Sequence, residues 1–146
     1  MISYLGTGRF EVVEGGAAVV TGYVRHSSNP SEEKVNPTFD DTIEEDMSHR
    51  DVYKELRLRG YHYSGLFRGI KSANIKGNKG SIAWNNNWVA FMDNMLQMEI
   101  LGIDSRGLFV PTGIQKLVID TKLHLNQIRA MPEDDRSKNY NFFWKV

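Results

Sequence analysis

Apolar and polar positions near the start of the chain follow the pattern of two paired strands. Residues 10–14 and 17–24 are rich in β-branched side chains, and Gly15 and Gly16 separate them. Glycine adopts positive φ without steric cost, which the tight turn of a hairpin requires. The pattern therefore predicts a β-hairpin.

The character of the chain changes between residues 26 and 47. This segment contains two Asn-Pro dipeptides, seven acidic residues and one lysine, and few large apolar side chains. Such a segment buries too little apolar surface to offset the entropy that is lost on ordering. We therefore predict an acidic linker over residues 26–47, with the hairpin of residues 1–25 in a different structural unit from residues 48–146.

Apolar residues at helical spacing begin after this segment. Ser48, followed three residues later by Asp51, is the pattern of a capped helix N-terminus, and Gly60 marks a stop. The first turn contains His49, which we expect to be exposed to solvent. The apolar surface of this helix is expected to come from Val52, Tyr53, Leu56 and Leu58.

Short β-rich runs follow this helix and alternate with one further helix. Residues 67–75 and 81–84 are predicted as strands with a glycine-flanked turn between them. Residues 108–120 are predicted as a longer β-run with an edge or bend at Pro111, because proline lacks the N–H that a ladder needs. Together with a predicted strand at residues 141–146, this order of elements indicates an α+β fold.

Residues 88–101 form the most apolar segment, and Asn86 or Asn87 can cap the helix that they predict. Apolar side chains cover nearly the whole circumference, so we expect this helix to be buried on most sides. Asp93 and Gln97 are four residues apart and therefore share one of its faces.

A carboxylate among Trp, Phe, Met and Leu side chains is costly to ionise, and a neutral amide can fix its orientation without adding a charge. A protonated carboxylic acid held in this way is suited to general acid catalysis. The alternative is a solvated polar stripe on a structural helix. The spacing of Asp93 and Gln97 by itself leaves both interpretations open.

Composition narrows the possible functions. The chain has 18 acidic and 18 basic residues and no cysteine. Balanced charge argues against a general attraction to nucleic acid or to an anionic membrane, and a chain without cysteine offers neither a disulfide nor a thiol nucleophile. The sequence shows no signal-peptide pattern and no apolar run of about 20 residues, so we expect a cytoplasmic location.

Three separate blocks of the sequence resemble the dehydratase domain of animal-type fatty acid synthases. They are DVYKELRLRGY at residues 51–61, NWVAFMDNMLQM at residues 87–98 and GLFVPT at residues 107–112. The blocks occur in the order of that family, and the similarity extends from about Gly8 to Asp120. The dehydratases of polyketide synthases share the pattern more loosely.

The resemblance implies a double hot-dog fold, in which each half is a curved antiparallel sheet wrapped around a central helix. Residues 1–25 would then be the last hairpin of the N-terminal half, and residues 26–47 the linker. Residues 48–146 would be the C-terminal hot-dog, incomplete before its last strands.

In that family the first half supplies a histidine from an H-x-x-x-G-x-x-x-x-P motif, and the second supplies an aspartate from D-x-x-x-Q or D-x-x-x-H. Asp93 and Gln97 match the second motif. The resemblance implies that the histidine removes the C2 proton of a (3R)-hydroxyacyl thioester while Asp93 protonates the departing C3 hydroxyl, giving water and a trans-2-enoyl thioester. The substrate would be carried on the phosphopantetheine of an acyl carrier protein, with no cofactor or metal in this segment.

The resemblance also implies a set of substrate-binding residues, Tyr63, Phe67, Trp88 and Pro111. Tyr63 and Phe67 would lie near the acyl tunnel, whereas a bend in a strand explains Pro111 equally well. The chain reads Ser64-Gly65 where its relatives usually have Gly-Pro. The loss of proline loosens the backbone at this point.

None of the four histidines fits the first motif, because none has glycine four residues later. They are His26, His49, His62 and His124. We therefore expect the catalytic histidine in the missing N-terminal half, and no dehydratase activity from this chain alone.

The expected partners are an acyl carrier protein, the N-terminal half and, for the parent enzyme, a second copy in a homodimer. Neither nucleic acid nor a membrane is expected as a partner. An acidic carrier could meet several basic side chains, although scattered surface charge is the more common explanation; they are Arg57, Arg59, Arg68, Lys71 and Lys76. The alternative functions are a polyketide synthase dehydratase and a non-catalytic acyl-binding or structural hot-dog.

Overall fold

The chain divides into two compact units, Met1–Val35 and Asn36–Val146. The computed structural model describes residues 1–4, 6–33, 46–130 and 140–143. The division between the units lies within the segment that the sequence predicts as a linker.

The first unit contains a three-stranded antiparallel sheet in the order β1-β2-β3. Its strands are β1 (Ile2–Tyr4), β2 (Arg9–Glu14) and β3 (Ala17–Tyr23). The predicted hairpin of β2 and β3 is confirmed. Gly15 and Gly16 form its turn with φ angles of +58° and +85°, which explains why the turn uses two glycines.

The predicted linker is partly structured at both ends. A one-turn helix, α1 (Pro30–Glu33), lies near its start, and Glu33 forms an ion pair of 2.6 Å with Arg25. The strand β4 (Asp46–Ser48) begins inside the predicted linker, so the prediction is too long at that end. Residues 34–45 lie outside the described residues.

The second unit contains a four-stranded antiparallel sheet in the order β4-β5-β6-β7. The strands that follow β4 are β5 (Ile70–Asn74), β6 (Lys79–Ile82) and β7 (Tyr140–Phe143). Three strands are thus found near the predicted positions, although β5 begins at Ile70 and not at Phe67. The last three residues of the predicted final strand, 144–146, lie outside the described residues.

The helix α2 (His49–Leu58) confirms the predicted N-terminal cap. The backbone N–H of Ser48 donates to Asp51 Oδ2 at 3.3 Å, and the N–H of Asp51 donates to Ser48 Oγ at 3.4 Å. Leu58 is 65% exposed, so its predicted place in the core is wrong. It lies two residues after the buried Leu56, which turns it about 200° away around the helix axis.

The helix α3 (Trp88–Gly102) packs against β5, β6 and α2. Asn87 caps it by accepting the N–H of Ala90 at 2.9 Å, and the expected burial on most sides is found, with Val89 as an exposed exception. The core of this unit is built mainly from large apolar side chains that are almost inaccessible to solvent: Val52, Leu56, Ile70, Ile82, Phe91 and Met98.

Residues 108–120 are irregular and exposed, so the predicted β-run is wrong. Strand propensity depends on pairing and packing partners, and this segment pairs with no strand in the described part of the chain. The helix α4 (Thr121–Ala130) follows, and Asp120 Oδ1 accepts the N–H of Leu123 at 2.8 Å. The predicted α+β class is confirmed. None of the helices in the described residues is both long and apolar enough to cross a membrane.

Candidate functional site

Asp93 and Gln97 are joined by a hydrogen bond across one turn of α3. Gln97 Nε2 donates to Asp93 Oδ2 at 2.7 Å, so the contact expected from their spacing is present. Gln97 is fully buried. Asp93 is only partly buried, so the carboxylate is less embedded among apolar side chains than expected.

The same amide nitrogen also fixes the segment before β5. Gln97 Nε2 donates to the backbone oxygen of Phe67 at 2.8 Å, so both of its hydrogens have acceptors. Phe67 is the last residue of a 3₁₀ turn, Gly65–Phe67. Among the described residues, no group donates a hydrogen bond to Asp93 Oδ1.

Asn94 provides a second tie between α3 and this segment. Its Nδ2 donates to Ala90 O at 2.6 Å and to Leu66 O at 3.2 Å, and its Oδ1 accepts the N–H of Gly69 at 2.8 Å. A Cβ on Gly69 would come within 2.8 Å of Asn94 Nδ2, which requires glycine or a shift of the amide. Asn94 was not predicted as a site residue, although an amide inside so apolar a helix indicates a buried hydrogen-bonding group.

The hydroxyl of Tyr53 completes this network. It accepts the N–H of Ile70 at 3.0 Å, and Asn94 Oδ1, at 3.1 Å, is the nearer of its two possible acceptors. The other acceptor is Phe67 O at 3.4 Å. Burial raises the pKa of Tyr53, so the hydroxyl keeps its proton and remains a donor.

Tyr63, predicted as a substrate-binding residue, lies within the electrostatic field of Asp93. Burial, and then the charge of Asp93, raise the pKa of Tyr63 to about 12. Its ring stacks on Tyr61 with centroids 6.0 Å apart and an interplanar angle of 7°. The backbone of Phe67 thus contacts Gln97, and Tyr63 lies close enough to Asp93 to be affected by its charge.

A small cleft of about 60 Å³ lies beside this network. Its lining consists of Tyr53, Arg57, Tyr61, His62, Tyr63 and Arg68. Asp93 is not part of the lining. The volume is far below the roughly 300–1,000 Å³ of small-molecule sites, so this cleft cannot enclose an acyl chain.

The other predicted substrate-binding residues lie in different surroundings. The side chain of Phe67 is 40% exposed. Trp88 packs in an aromatic cluster, with its ring centroid 4.9 Å from that of Trp84 and 4.5 Å from that of His124. Pro111 is exposed in the irregular segment and not in a strand.

His49 differs from its expected solvated state. Its ring is partly buried, and its Nδ1 lies 2.7 Å from the carbonyl oxygen of Ile70. A carbonyl oxygen can only accept, so Nδ1 carries the proton and donates. This bond links the first turn of α2 to β5.

In residues 1–4, 6–33, 46–130 and 140–143, there is no group of three or more His, Cys, Asp or Glu side chains that could hold a metal ion. No family model matches the chain.

Proposed function

We propose that this chain is the second hot-dog half of the dehydratase of an animal-type fatty acid synthase. One observation carries the proposal. Gln97 orients one oxygen of Asp93 through a bond of 2.7 Å and leaves the other oxygen without a donor among the described residues. A proton donor needs this combination of a fixed carboxyl group and one uncommitted oxygen.

The proposed reaction is dehydration of a (3R)-hydroxyacyl thioester on an acyl carrier protein. Asp93 Oδ1 transfers its proton to the C3 hydroxyl, the C3–O bond breaks, and water leaves. A histidine from the other half takes the C2 proton, and the C2–H electrons form the double bond of the trans-2-enoyl thioester. The Gln97 N–H stabilises the carboxylate that remains on Asp93.

The packing of α3 against an antiparallel sheet supports a hot-dog arrangement. In this proposal Tyr63 and Phe67 border the acyl chain, since Gln97 contacts the backbone of Phe67 and the charge of Asp93 acts on Tyr63. The parent enzyme would be a cytoplasmic homodimer.

The test is dehydration of a carrier-like 3-hydroxyacyl thioester by the full-length protein. Asp93→Asn keeps the shape and an acceptor for Gln97 but cannot supply the proton, so kcat should fall by about 10²–10⁴-fold. KM should change little, because the lost interaction belongs to the transition state. Asp104→Asn, at an exposed position just after α3, is the matched control and should retain full activity.

A specific observation favours a second candidate, a non-catalytic hot-dog. Gln97 also ties α3 to the backbone of Phe67, and a structural role explains that contact completely. In that case Asp93→Asn would leave any turnover of the full-length protein near normal. Near-normal turnover would therefore reject the proposed acid and favour the structural candidate. A polyketide synthase dehydratase would respond as the fatty acid enzyme does and would differ in its preferred acyl substrate.

A further inference from the structure

Arg68 lies beside Tyr53 and has a buried donor without an acceptor among the described residues. Its guanidinium carbon lies 4.8 Å from the centre of the Tyr53 ring, a distance at which the ring face attracts the cation. Its Nε atom is buried and has no hydrogen-bond acceptor within the described part of the chain. A buried donor without an acceptor costs free energy, so a movement of the Arg68 side chain that brought this N–H to a ligand oxygen would be favoured.

A second guanidinium lines the same cleft. Arg57 lies four residues after Tyr53, on the same face of α2, and both line the cleft with Arg68. No ion pair found in the described ranges includes Arg57 or Arg68. The lining contains no carboxylate, so the positive charge of the cleft is not neutralised by its own walls.

Tyr63 adds a neutral donor to this lining. Its raised pKa, about 12, keeps the hydroxyl protonated at neutral pH. The hydroxyl of Tyr61 already contacts the backbone of Phe109, and that of Tyr53 contacts Asn94. The Tyr63 hydroxyl makes no hydrogen bond to another described group, which leaves it able to donate to a ligand.

The negative charge of the nearby Asp93 opposes the binding of an anion. Its charge acts on both Tyr53 and Tyr63. Asp93 does not line the cleft, however, whereas both guanidinium groups do. The immediate walls therefore favour negative charge.

We propose that this cleft, lined by Arg57, Arg68 and Tyr63, binds a small oxyanion, either a phosphate monoester group or a carboxylate. Guanidinium groups match the geometry of both oxyanions. The volume of about 60 Å³ suits one charged group and not a whole ligand. This site goes beyond the proposed dehydratase function and does not depend on it.

The test is an NMR titration of the chain with inorganic phosphate and, separately, with acetate, against chloride at constant ionic strength. The Nε–Hε signal of Arg68 should shift in a saturable manner. Arg57→Gln, at an exposed position that the fold does not need, should weaken binding by about tenfold or more, the loss of one charge-assisted hydrogen bond. Arg50→Gln removes the same charge from the same helix outside the cleft and should leave binding unchanged.

Arg68→Lys is a second variant that keeps the charge and removes the Nε donor, and it should also weaken binding. Saturation by either anion supports the site. Saturation by phosphate alone restricts it to phosphate groups, and saturation by acetate alone restricts it to carboxylates. A shift that does not saturate would overturn the proposal. Equal weakening by Arg50→Gln and Arg57→Gln would also overturn it, because general surface charge would then explain the effect.

Discussion

Gln97 fixes Asp93 from one helical turn away, with Nε2 placed 2.7 Å from Asp93 Oδ2 and 2.8 Å from the backbone oxygen of Phe67. A primary amide has two hydrogens, and both are used here. The orientation of the Asp93 carboxylate is therefore coupled to the position of the 3₁₀ turn that ends at Phe67.

Replacing this donor by an acceptor should be destabilising in a pH-dependent way. Gln97→Glu keeps the size of the side chain but places a second carboxylate beside Asp93 at a fully buried position. Burial and the neighbouring charge would raise the folded-state pKa of the new Glu above its unfolded value of about 4.3. The folded state then binds more protons, so stability should be lower at neutral pH by about 2–4 kcal/mol and should recover as pH falls.

Urea unfolding at several pH values measures this effect. Gln97→Leu is the matched control, because it removes both hydrogen bonds without adding a charge. The loss in stability of this variant, about 1–3 kcal/mol, should not show this dependence on pH. The same pH dependence in both variants would contradict the contact between residue 97 and Asp93.

The hydroxyl of Tyr53 should contribute more to the free energy of unfolding than the hydroxyl of Tyr61. Tyr53→Phe leaves the buried N–H of Ile70 without its acceptor and removes a donor from Asn94. The expected loss in the free energy of unfolding is about 1–3 kcal/mol. Tyr61→Phe, which removes a hydroxyl at a more exposed contact with Phe109, should cost less than about 1 kcal/mol. Equal losses in urea unfolding would argue against the buried network.

Gly77 should not tolerate a side chain. Its φ is +67°, and a Cβ there would overlap the backbone oxygen of Met98 and come within 2.9 Å of the nitrogen of Gly102. We expect Gly77→Ala to lower the free energy of unfolding by at least about 2 kcal/mol. A Cβ on Gly113 would meet no other atom within 4 Å, so Gly113→Ala should change stability by less than about 0.5 kcal/mol. A similar effect of both substitutions on urea unfolding would refute the close approach of α3 to this turn.

His124 should make the stability of the second unit depend on pH. Its ring lies 4.5 Å from those of Trp84 and Trp88, and burial lowers the pKa of His124 from its ordinary value of 6.5. The unfolded chain therefore takes up a proton first, so stability should fall as pH drops below about 6.5 and level off below the folded-state pKa.

His124→Phe is the matched variant, since it keeps an aromatic ring and removes the titration. Urea unfolding between about pH 7 and pH 5 should show a smaller decrease for this variant than for the wild type. If both lose the same stability over this range, His124 does not contribute to the pH dependence.

Features that depend on residues close in sequence could be predicted. The Gly15-Gly16 turn, the Ser48 cap and the Asn87 cap each rest on contacts within about four positions, where the covalent chain already keeps the groups near one another. The Asp93–Gln97 bond belongs to the same class, because helical geometry alone places side chains four residues apart on one face.

Features that depend on residues distant in sequence could not be predicted from local patterns. The β-branched residues of 108–120 have strand propensity, but that propensity depends on pairing and packing partners, and the segment pairs with no described strand. The network around the site is equally non-local. Tyr53 and Asn94 are 41 residues apart, and Gly69 and Asn94 are 25 apart.

By itself, the sequence determined the α+β class, the caps of α2 and α3 and the pairing of Asp93 with Gln97, because each follows from backbone geometry within a few residues. Only the tertiary structure decided how far Asp93 is exposed, where Trp88 and Pro111 lie, and which cations share a cleft. Burial and electrostatic fields depend on every neighbour in space, and most of those neighbours are distant along the chain.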